Sequence, residues 1–151
     1  MVLHGRSLHC TAAFLNAEDV SRLPSLNVET RTEVRAAQLQ IDLSLGRKRQ
    51  NVQKILHLAR SPYFQIQGVR LLSTTCIDDL YEVIDLCHSS LTTLIFADSA
   101  DLRDVSFLSK CANLTHLGLS NSSSLVDVSA LAQRKSLQVL DLSACTEVDL
   151  G

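Results

Sequence analysis

The sequence predicts an α/β solenoid, with a curved parallel β-sheet on the concave side and helices or short turns on the convex side. Two observations carry that expectation. First, apolar residues recur at one fixed offset: Leu91, Leu114 and Leu137; Leu94, Leu117 and Leu140; Phe96, Leu119 and Leu142; Leu102, Leu125 and Val148. Val105 with Val128, and Leu108 with Leu131, keep the same offset. A period of about 20 to 50 residues arises when each unit buries its apolar face only against its neighbours. Second, 46% of the residues are hydrophobic but only 4% are aromatic and none is Trp, so the interior has to be filled by aliphatic side chains. The 151 residues suit one domain.

In chain order, residues 1–38 read as an irregular N-terminal or capping unit. Ser7 to Leu15 alternates loosely, as a strand would, and Asn16 before Ala-Glu-Asp-Val favours a helix start that Pro24 limits. Val28 to Ala37 fits neither template. Residues 39–151 read as about four full units and an incomplete last one. Leu39, Ile41 and Leu43 alternate with polar residues, predicting a half-buried strand. Asn51 to Ala59 then places Val52, Ile55, Leu56 and Ala59 at helical spacing, with Lys54 and His57 on the other side. After Pro62, Ile66, Val69 and Leu71 begin the next strand. The step from Ile41 to Val69 is longer than that from Ile66 to Leu91, which in turn exceeds the step from Leu91 to Leu114. Shortening outer segments should flatten the arc, with stronger curvature in the first half.

The core line reads Leu91-x-x-Leu94-x-Phe96-x-x-Ser99, Leu114-x-x-Leu117-x-Leu119-x-x-Ser122 and Leu137-x-x-Leu140-x-Leu142-x-x-Cys145. This resembles the leucine-rich repeat family, whose pattern is L-x-x-L-x-L-x-x-N/C-x-L. The match is clear over about residues 66 to 150 and weaker back to Leu39. Two units carry Ser where the family has Asn or Cys, and a serine hydroxyl can still bond turn backbone, with shorter reach. The gap to the next apolar residue is one longer than the consensus. Asp104-Val-Ser-Phe-Leu and Asp127-Val-Ser-Ala-Leu look like the short convex turns of internalin-type and related intracellular repeats. The cysteines Cys111 and Cys145 are similar to those of ubiquitin-ligase adaptor repeats, although no F-box is evident.

In such a unit the leucines point inward and the residues between them face the concave surface, because side chains alternate across a strand. Three files of surface residues follow: Gln40, Gly68, Thr93, His116 and Val139; Asp42, Arg70, Ile95, Gly118 and Asp141; Ser44, Leu72, Ala97, Ser120 and Ser143. The middle of this face is small and uncharged, with Leu72 and Ile95 expected to be exposed. Asp42, Arg70, Leu72, Thr93, Ile95, His116 and Asp141 are the candidate partner-binding residues. The basic cluster Arg47, Lys48, Arg49 and Lys54 is the candidate contact for nucleic acid, but a solvated loop is the plainer account of it. A basic stripe interleaved with aromatics is missing.

Catalysis has one thin candidate. His116, Ser120 and Asp141 share the expected concave face, but no strained turn holds a nucleophile and no oxyanion donors are suggested, so no catalytic residue is assigned. Asp98, Asp101 and Asp104 crowd one turn, a pattern that turn chemistry explains more simply than a cation does. No metal or other cofactor is expected.

The formal net charge is −2, but residues 1–70 hold ten Lys and Arg against five acids, while residues 71–151 hold four against eleven. Such ends orient a module on partners or stack copies, or are simply solvated faces. Five cysteines without a C-x-x-C pair suit buried thiols in a reducing compartment. The sequons at Asn113 and Asn121 would matter only after secretion, and no signal peptide supports that. No apolar run reaches the roughly 18 residues that span a bilayer. The expectation is an intracellular protein, cytoplasmic rather than mitochondrial, although the segment from Met1 to Ala17 carries Arg6 and no acid, as transit peptides do. Its expected role is a non-enzymatic scaffold that binds a protein partner, with an RNA-associated scaffold as the alternative. The last unit stops at Gly151 before any helix or cap, so a partner, a second copy or further chain is expected to cover it.

Overall fold

The computed structural model describes residues 38–42, 49–60, 65–72 and 77–148. The expected strand at Ser7 to Leu15, the helix after Asn16 and the unassigned stretch to Ala37 lie outside these residues. The described chain is an α/β structure. Five strands, β1 (Gln38–Asp42), β2 (Gln65–Leu72), β3 (Thr93–Ala97), β4 (His116–Gly118) and β5 (Val139–Asp141), form one sheet in sequence order, and every neighbouring pair is parallel. Parallel neighbours need crossover connections, and the helical segments these carry shorten toward the C-terminal end. The first two carry helices α1 (Arg49–Ala59) and α2 (Ile77–Cys87), of 11 residues each. The next two carry 3-10 helices of five residues (Ser106–Lys110) and three residues (Ser129–Leu131).

Apolar spacing sets these elements. In α1, Val52, Ile55 and Leu56 are buried and Ala59 packs against them, a stripe at i, i+3, i+4 and i+7. His57 is exposed, as expected. The helix begins at Arg49, ahead of the start at Asn51 expected from sequence, and has no acid in its first turn. In α2, Leu80, Val83, Ile84 and Cys87 repeat the stripe, and Asp78 and Asp79 complement the positive helix start. The two 3-10 helices follow Asp104 and Asp127, whose Oδ1 atoms accept from the backbone N–H of Ser106 (2.9 Å) and Ser129 (2.8 Å). Each carboxylate therefore satisfies a donor that a helix start would otherwise leave orphaned.

One core joins the layers. Leu91, Leu94, Phe96, Leu102, Val105 and Leu108 are fully buried, as are their counterparts Leu119 and Leu125, with Leu114 and Leu117 at 2% and 1% exposed. Each such burial stabilises by roughly 2 kcal/mol. The counterparts one layer further on are less covered: Leu137, Leu142 and Val148 are half-buried, and Leu140 is 42% exposed.

Polar side chains tie successive layers together just before each later strand. Ser90 Oγ donates to Ile66 O (2.7 Å), Asn113 Nδ2 to Ser89 O (2.8 Å) and Ser136 Oγ to Ala112 O (3.0 Å), each reaching back one layer. Thr92 Oγ1 donates to Gln67 O and Thr115 Oγ1 to Thr92 O in the same way. The position corresponding to Cys87 and Cys111 in the next layer is Arg134. Its guanidinium donates to Cys111 O (2.7 Å) and Leu108 O, closing the end of the five-residue 3-10 helix. On the outer edge of the crossovers, exposed ion pairs link Arg60 with Glu82 and Lys110 with Asp85, and Tyr81 stacks obliquely on Phe107 at 5.1 Å. Exposed pairs of this kind are worth at most about 1 kcal/mol each.

Candidate partner-binding face

The sheet has one face turned to the core and one turned away from it. Strand alternation puts Leu94 and Leu117 on the first and Thr93, Ile95 and His116 on the second. The pairing brings the candidate residues into two files: Gln40, Gly68, Thr93, His116 and Val139 are successive partners, as are Asp42, Arg70, Ile95, Gly118 and Asp141. Leu72 pairs with Ala97. These registers agree with the files read from the sequence. The side chains of Asp42 and Leu72, and with them the exposure expected of Leu72, lie outside the described residues.

Exposure across this face is uneven. His116, Val139 and Asp141 are exposed, Thr93 and Arg70 are half-buried, and Gly68, Ala97 and Gly118 are covered. The exposure expected of Ile95 is not found, because this side chain is half-buried. The reason is its partner in β4. Gly118 has no side chain, and a Cβ there would meet Ile95 Cγ2 at 3.4 Å, so Ile95 lies over the glycine backbone. Ile95 and Gly118 therefore pack together in one file, while His116 and Val139 stand exposed in the file beside it.

Hydrogen bonding fixes His116. Its Nδ1 lies 2.8 Å from Thr115 Oγ1, a hydroxyl that also stands 3.0 Å from Thr92 O. That contact holds the imidazole against its neighbour while the ring stays exposed. The register also separates two of the residues weighed for catalysis. Asp141 is in register with Gly118, not His116, and its Oδ1 accepts from Ser143 N (2.9 Å) and Ser143 Oγ (2.6 Å). Those two bonds hold the Asp141 carboxyl below its ordinary range. His116 Nδ1 faces the Thr115 hydroxyl.

The remaining candidates resolve individually. Asp98 Oδ1 accepts from Asn121 Nδ2 in the following unit, and Asp104 is engaged locally by Ser106, so two of the three acids of this turn have hydrogen-bond partners. Among the described residues no group of three His, Cys, Asp or Glu side chains could hold a metal ion. Arg49 heads α1 and Lys54 lies within it, while Arg47 and Lys48 fall outside the described residues. Cys87 and Cys111 are buried free thiols, and burial pushes them up to about 12 and about 11. Cys145 is half-buried and donates to Leu119 O at 3.1 Å. The turn-backbone bond expected of its counterpart Ser122 is not formed: Ser122 is fully buried, and its Oγ finds no partner among the described residues. The shorter hydroxyl does not make the reach that the sulfur makes one layer later.

Sequence reasoning named the files but left Val139 out of the binding set, although its register with His116 was the signal that could have included it. No described helix is long and apolar enough to cross a membrane. No protein-family model matches the chain, and no curated protein or solved structure matches it significantly.

Proposed function

We propose that this chain is a leucine-rich repeat solenoid that binds a protein partner through the strand face carrying Thr93, Ile95, His116 and Val139, which would be its concave surface. The observation that carries this reading is the register of β3, β4 and β5. Residues one repeat apart in sequence stand beside one another, so a sequence period becomes a lattice of side chains in space. Stacked units of this kind offer broad, nearly preformed surfaces, and such surfaces suit macromolecular contact more than small-molecule chemistry. The composition of the face supports a protein partner. It offers Ile95 lying against Gly118, the exposed Val139, the His116 imidazole and the Asp141 carboxylate, without the dense positive charge that phosphate backbones require.

The test is a triple variant, Ile95→Glu, His116→Glu and Val139→Glu. Partner recovered with the tagged protein should fall at least about tenfold, the loss of roughly 1.4 kcal/mol, while the circular dichroism spectrum stays unchanged. Undiminished recovery with an unchanged spectrum would place binding elsewhere.

A further inference from the structure

We draw no further inference here: the strongest candidate, the partly exposed apolar end of the sheet at β5 formed by Leu137, Leu140 and Leu142, carries nothing because nothing in the structure shows what covers it.

Discussion

Asn121 donates from Nδ2 to Asp98 Oδ1 at 2.5 Å across one layer, and both residues hold the left-handed backbone, at φ 59° and 58°. The same turn recurs in the next layer at Ala144, also at φ 58°. Asp and Asn tolerate this region because their short polar side chains bond locally, whereas alanine has no such compensation.

Ala144→Asn should therefore raise stability, by up to about 1 kcal/mol, and Ala144→Val should lower it. Urea denaturation measures both. Equal midpoints for the two variants would mean that residue 144 is not held in this conformation.

Leu117 and Leu140 hold the same place in successive strands but are 1% and 42% exposed. Leu117→Ala should cost about 2–5 kcal/mol, because it leaves a cavity among packed neighbours. Leu140→Ala should cost less than about 1 kcal/mol. The difference in urea midpoints checks the layering, and equal losses would mean that β5 is as well covered as β4.

Asp104, Asp127 and Asp141 are all held below the ordinary carboxylate range by the side-chain and backbone donors of Ser106, Ser129 and Ser143. A depressed folded-state pKa contributes stability that is fully present above the unfolded value and is lost as pH falls through the folded one. Denaturant midpoints should thus hold near neutral pH and decline below about pH 4. The triple Asp→Asn variant should flatten that decline, and an unchanged slope would assign the acid sensitivity to other groups.

How much of this was legible in the sequence depends on what each residue had to reveal. Strand positions and their register were legible, because leucine spacing and side-chain alternation leave one pairing that buries Leu94 beside Leu117. The half-burial of Ile95 was not, since it depends on the missing side chain of Gly118 across the strand pair. Nor was the contact between His116 Nδ1 and the Thr115 hydroxyl, which depends on how two neighbouring side chains turn. Ser90, Asn113 and Ser136 left a readable trace, a polar residue just ahead of each leucine line, but its meaning needed the carbonyls of the preceding layer. The roles expected of residues before Gln38, and of Arg47 and Lys48, lie beyond the described structure.

A protein partner bound as proposed sits on the sheet face beside His116, within reach of a photoactivatable benzophenone side chain at position 116 and out of reach of one that replaces Asp85 on the crossover side. The bound partner should be crosslinked from position 116 and not from position 85. Crosslinking from position 85 alone would mean that the partner binds the crossover side.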